Sequence, residues 1–181
     1  MNQTVAEIQA LLGDVELSAP VPDGEIAAFE AKHSIRLPED YREFLLSVGG
    51  HGNGPPEYGL LALGEVKGGH VPDYLKDGYG DLLARPFPLS EAWVWEVEQD
   101  SPELATRLES THQGCLALGH DGCGMYWLLV VSGTCRGEIW QASGEGICPC
   151  DPRLTFAQWY LKWLKGDTDW WQDHDSPDGG E

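Results

Sequence analysis

The stretch from Ile35 to Leu63 constrains the fold of this chain most. It specifies a helix with a start and a stop, then a loop of glycines and prolines, then a strand. Pro38 suits the first turn of a helix, where its missing N–H costs nothing. Glu39 and Asp40 follow and place negative charge at the positive end of the helix dipole. Tyr41, Phe44, Leu45 and Val48 recur at helical spacing and make one apolar stripe, with Arg42 and Glu43 off it and facing water. Gly49-Gly50 is expected to end the helix in the left-handed C′ conformation. His51 to Pro56 is then a loop of residues with special backbone geometry, and Tyr58 to Leu63 reads as a strand.

The rest of the chain can be read around this unit. Thr4 to Glu7 matches a capping box, and Val5, Ile8, Leu11 and Leu12 form a helical stripe ending at Gly13. Asp23 can cap a second helix carrying Ile26, Ala27, Phe29 and Glu30. Lys67 to Leu83 reads as an irregular surface insertion. Arg85 to Leu89 leads to Trp93 and Trp95, whose spacing puts both on one face of an extended segment. Ser101-Pro102-Glu103 is a helix start. Gly114–Gly119, Met125–Val131 and Glu138–Ala142 are three short apolar runs joined by two glycine-bearing turns, the pattern of an antiparallel meander. Thr155 can cap a last helix with a wide apolar face of Phe156, Trp159, Tyr160, Trp163 and Leu164. Helices in front, an antiparallel sheet in the middle and a helix at the end make an α+β domain. We expect a single domain over residues 1–166 and an acidic, partly disordered tail over residues 167–181.

Charge bounds the partners. The net charge is −19. Residues 1–30 contain no Lys or Arg, and neither does the tail with Asp167, Asp169, Asp173 and Asp175. Direct binding to nucleic-acid phosphates or to an anionic membrane is disfavoured, whereas a basic protein would be drawn in. No run of 18 apolar residues marks a membrane span. The N-terminus lacks the pattern of a signal peptide, which points to a cytoplasmic protein. In that compartment the 5 cysteines are reduced thiols.

The whole ordered set of motifs resembles the SUKH superfamily, which includes bacterial toxin-immunity proteins and fungal cell-wall-assembly regulators. The resemblance runs from about Asp23 to Gly166. Its leading motif is Leu37 to Leu45 with Gly49-Gly50, followed by Gly54-Pro55-Pro56 and Tyr58 to Leu61. Arg85 to Leu89 with Ala92-Trp93, Gly122 to Gly124 running into Leu128 to Gly133, Arg136-Gly137 and Ile139-Trp140 resemble a bacterial branch. Phe156, Trp159-Tyr160 and Trp163-Leu164 resemble the closing helix. The resemblance implies helices packed on a central antiparallel sheet. It also implies a non-enzymatic protein-binding role, here that of an immunity protein occluding a basic toxin domain. A regulatory or scaffold module is the alternative.

Candidate binding residues follow from charge and aromaticity. The acidic run Glu91, Glu96, Glu98, Asp100 and Glu103 and the tail residues Asp167, Asp169 and Asp173 could meet a basic partner. Trp170 and Trp171 either fold back onto the domain or serve as aromatic anchors; two adjacent exposed indoles would be sticky, which favours fold-back. His51 and Asn53 stand in the glycine-rich loop after the third helix. Cys148, Cys150, Cys123 and His120 could be assembled into a zinc set, but a C-x-C pair without a matching C-x-x-C does not specify one. No Cys–His pair has a fixed orienting acid. We therefore assign no catalytic residue, no metal and no cofactor, and leave the oligomeric state open.

Overall fold

The computed structural model describes residues 2–66, 75–95 and 101–171. Among these residues it has helices α1 (Gln3–Leu11), α2 (Asp23–His33), α3 (Glu39–Ser47), α4 (Pro102–Ser110) and α5 (Phe156–Leu164). Strands β1 (Trp93–Val94), β2 (Cys115–Gly122), β3 (Met125–Val130), β4 (Ile139–Ala142) and β5 (Gly146–Pro149) form one sheet in the order β1-β5-β4-β3-β2. Every pairing is antiparallel. The α+β architecture and the meander of β2, β3 and β4 agree with the sequence pattern. The structure adds β5 to the meander, and β5 then pairs with the two-residue β1 (Trp93↔Ile147).

The core forms where α5 meets both the sheet and the helices. Trp159 of α5 lies 5.2 Å from Trp127 of β3. On α5's other side, Phe156 and Tyr160 lie 4.9 and 4.8 Å from Phe44 of α3, and α1 packs against α5 as well. Trp127, Trp140, Trp159, Tyr160 and Phe44 are all fully buried. An aromatic ring of this size removes enough apolar surface from water to contribute about 4–6 kcal/mol. Thr155 and Gln158 close a reciprocal capping box at the start of α5, which satisfies two backbone N–H groups that the helix cannot pair internally.

Several local expectations give way to tertiary geometry. The cap of α1 is Asn2, whose side chain accepts the Thr4 N–H at 2.9 Å. Asp23 is the first residue of α2 and not its cap; there its charge faces Arg42, with which it pairs. Arg42 and Glu43 are half-buried and do not simply face water, because Glu43 also takes the Asn2 N–H at 2.8 Å. Neither Gly49 nor Gly50 adopts a positive φ. Gly49 is needed for space, since a Cβ there would sit 2.8 Å from Leu17 Cβ and from the Ser18 carbonyl. The described end of the expected surface insertion is anchored in the core by Leu75, Tyr79 and Leu83, and the Tyr79 hydroxyl accepts the Ala117 N–H at 3.0 Å.

Candidate functional site

The site begins with two irregularities in β2. Ala117 faces Leu128, but the next pair is Gly119 with Trp127; His120 faces Tyr126, but the next pair is Gly122 with Met125. Each shift gives β2 one extra residue, Leu118 and then Asp121, as in a β-bulge. Both extra residues hold the segment that sequence pattern reads as a strand. The Leu118 carbonyl accepts the Leu61 N–H at 2.8 Å, and the His120 carbonyl accepts the Tyr58 N–H at 3.3 Å. Asp121 Oδ1 accepts the Glu57 N–H at 2.8 Å. Its Oδ2 accepts from Trp127 Nε1 at 2.7 Å and Gln141 Nε2 at 3.2 Å. Glu57 to Leu61 is thus laid along the sheet edge as an irregular strap, and the expected strand Tyr58 to Leu63 does not form.

The glycine-rich loop is pinned beside the strap. Gly52 bridges to Leu17 on one side and to Leu60 on the other. His51 O accepts the Ser18 N–H at 2.7 Å, and Asn53 N–H donates to Glu16 O at 2.8 Å. The Tyr160 hydroxyl of α5 donates to Asn53 O at 2.8 Å.

Between loop, strap and the chain after α5 lies an open hollow of about 870 Å³. Its walls include Asn53, Tyr58, Trp163 and Trp170, and its charged lining is Glu57, Glu65 and Asp121. A second hollow of about 510 Å³ lies on the other side of His51, among Val21, Pro22, Phe29, Leu63 and Glu25. His51 lines both. Among the described residues no Lys or Arg lines either one. Tyr58 is 61% exposed, and its ring stacks on His120 at 4.5 Å.

The candidate residues divide accordingly. His51, Asn53 and Trp170 come together in the larger hollow. Trp170 is buried against Trp127 and Trp159, at 5.6 and 6.1 Å, and its carbonyl accepts the Asp151 N–H at 2.9 Å. Trp171 is partly exposed, with its ring 6.0 Å from Trp127. Asp167 pairs with Lys162, and that ammonium holds its carboxyl below the usual range. Asp169 is exposed nearby in sequence. Glu91 is not brought to the hollow; it lies 3.3 Å from Arg153, which also pairs with Glu138. Glu103 sits in the first turn of α4, which lines neither hollow. Glu96, Glu98, Asp100 and Asp173 lie outside the described residues. Tyr58, Glu57, Glu65 and Asp121 are the residues that sequence reasoning missed; Glu57, Tyr58 and Asp121 come together through the bulged stretch of β2.

The cysteines are spread through the sheet and its turns. Burial pushes the Cys115 and Cys150 thiols up to about 12 and raises Cys148 as well, which disfavours the thiolate needed of a nucleophile. Among the described residues no group of three or more His, Cys, Asp or Glu is placed to hold a metal ion. No described helix is long and apolar enough to cross a membrane.

Residues 20–156 match the family model described as SMI1 / KNR4 family (SUKH-1). No curated protein and no solved structure matches the chain.

Proposed function

This chain belongs to the SMI1 / KNR4 family (SUKH-1), and from that premise we propose that it is a non-enzymatic immunity protein, acting in the cytoplasm by occluding a basic bacterial toxin domain. At the level that family membership carries, it is a protein-interaction module. The finer reading rests on one observation: the hollows flanking His51 are walled by aromatic and apolar side chains, and among the described residues their charged lining is acidic. A chain of net charge −19 steers a basic partner toward itself, and a few aromatic anchors then hold the complex. Stoichiometric masking of the toxin's own active face requires no chemistry from the immunity protein. The acids Asp167 and Asp169 and the ring of Trp171 belong to this proposed contact as its rim.

The test starts from the genome, where a toxin gene beside this one is expected, and proceeds to co-expression of its toxin domain with this protein in a bacterial host. Growth should be rescued, and the two purified chains should form an equimolar complex. Association should slow as salt rises from about 0.05 to 0.5 M, because screening shortens the reach of the acidic field. Absence of a neighbouring toxin gene, or of both rescue and complex with its product, overturns the reading and favours a regulatory or scaffold module.

A further inference from the structure

The two hollows meet at His51, which lines both, and they differ in chemistry. The larger has three carboxylates and aromatic walls; the smaller is walled by Val21, Pro22, Phe29 and Leu63. We infer that they form one groove that seats an extended, basic segment of a protein partner, with Lys or Arg side chains toward Glu57, Glu65 and Asp121 and an apolar side chain among Val21, Phe29 and Leu63. This inference rests on the protein-binding role proposed above and names the face and the chemistry of what it binds.

Charge complementarity identifies the occupant. The described ion pairs join Glu7, Asp23, Glu30, Glu39, Asp81 and other acids to lysines and arginines elsewhere in the fold. Glu57, Glu65 and Asp121 have no such cation among the described residues. Two of them are nevertheless fixed in place. Asp121 is held by Trp127, Gln141 and the Glu57 N–H, and Glu65 by the Ala62 N–H at 3.0 Å. Their charge is therefore preorganised and, among the described residues, uncompensated, which favours an incoming cation. A guanidinium has the further option of stacking on an aromatic face such as Tyr58 or Trp163. Volumes of about 870 and 510 Å³ sharing a single residue suit a narrow chain that spans both. Phosphate-bearing ligands are repelled by the same carboxylates.

A random-peptide phage library selected on the immobilised full-length protein tests this. Selected peptides should carry Lys or Arg together with Leu, Ile, Val or Phe. Replacing the apolar residue of a selected peptide by Ser should weaken binding. Glu57→Lys and Glu25→Lys should each weaken a selected peptide about tenfold or more, because each puts like charge into the groove. Glu145→Lys makes the same change in net charge on the β4–β5 turn and should leave affinity within about twofold. Selection of neutral or acidic peptides, no selection at all, or an equal loss in Glu145→Lys overturns the groove. The two readings fail separately. If Glu57→Lys still binds and neutralises the neighbouring toxin fully, the groove falls and immunity stands. If basic peptides behave as expected and the toxin is neither bound nor neutralised, the groove stands and immunity falls.

Discussion

The buried carboxylate of Asp40 on α3 accepts the backbone N–H of Ala157, the second residue of α5, at 2.9 Å. A first-turn N–H of a helix has no partner within the helix, and a negative charge there also meets the favourable end of the dipole. Asp40 therefore caps a helix much later in the chain and locks α3 to α5. Asp40→Ala leaves that donor buried without an acceptor and should cost roughly 2–3 kcal/mol. Asp40→Asn keeps an oxygen and should cost less. Urea unfolding of the two variants checks both values, and equal stability of Asp40→Ala and wild type would refute the capping role.

Arg136 ties the turn between β3 and β4 to the junction of α2 and α3. Its Nη2 donates to Leu37 O at 2.7 Å and to Arg36 O at 3.2 Å, and its Nη1 lies 3.3 Å from Glu39 Oε2. One guanidinium serves several acceptors because its donors are splayed in a rigid plane. An ammonium cannot reach them together, so Arg136→Lys should destabilise by about 1–2 kcal/mol. Arg136 also holds the Glu39 carboxyl below its ordinary range, mainly through that hydrogen bond. The Glu39 titration, followed by NMR, should move upward in Arg136→Lys. A depressed acid stabilises the fold above its unfolded pKa and loses that contribution as pH falls through the folded value. The variant should lose this small acid-limb component.

Elements that bury one stripe were legible from spacing. Tyr41, Phe44 and Leu45 of α3 and Phe156, Trp159 and Tyr160 of α5 are all buried, as their helical periods require. Trp93 and Trp95 share a face, with ring centroids 4.8 Å apart. Features created by partners distant in sequence were not legible. β1 is two residues long and exists through its pairing with β5. Leu75, Tyr79 and Leu83 are core residues inside a stretch of glycines and aspartates with no period to betray them. At the site, His51 and Asn53 stood out because a Gly/Pro loop is visible in composition. Asp121 did not, because an acid after His120 reads as a turn residue; only the register shift in β2 turns its side chain to the strap.

Gly119 is the contact on which the strap rests. A Cβ at this position would lie 2.5 Å from Gly59 O and 2.7 Å from Pro56 Cγ. Neither a carbonyl held by backbone nor a proline ring gives way easily. Gly119→Ala should therefore cost about 1–3 kcal/mol, the usual range for overpacking. Its particular signature is local: the strap should lift and the Leu61 N–H should lose Leu118 O. Hydrogen exchange at Leu61 should quicken well beyond what the global loss of stability explains. Uniform quickening across the sheet would count against the strap as a separate layer.

His33 provides an acid-sensitive link between α2 and the segment of Tyr79 and Gly80. Its ring is buried, 4.6 Å from Phe29 and 6.0 Å from Tyr79. Its Nδ1 lies 3.2 Å from Gly80 O; a carbonyl can only accept, so Nδ1 carries the proton of a neutral ring. Burial is the largest influence and lowers the pKa below the ordinary 6.5; Gly80 O partly opposes it, and Lys32 adds to the lowering. Well above pH 6.5 the folded and unfolded chains both hold a neutral imidazole, and this group contributes no pH dependence. As pH falls through that value the unfolded chain binds the proton first, so stability drops until the folded pKa is crossed. One such group can give a slope of at most about 1.4 kcal/mol per pH unit. Burial lowers His112 in the same direction, so it shares the window. His33→Asn keeps an amide donor for Gly80 O and removes the titration. Urea unfolding free energies between about pH 7 and pH 5 should therefore fall less steeply in His33→Asn than in the wild type. Parallel slopes would mean that the ring is protonated as readily in the fold as in the unfolded chain.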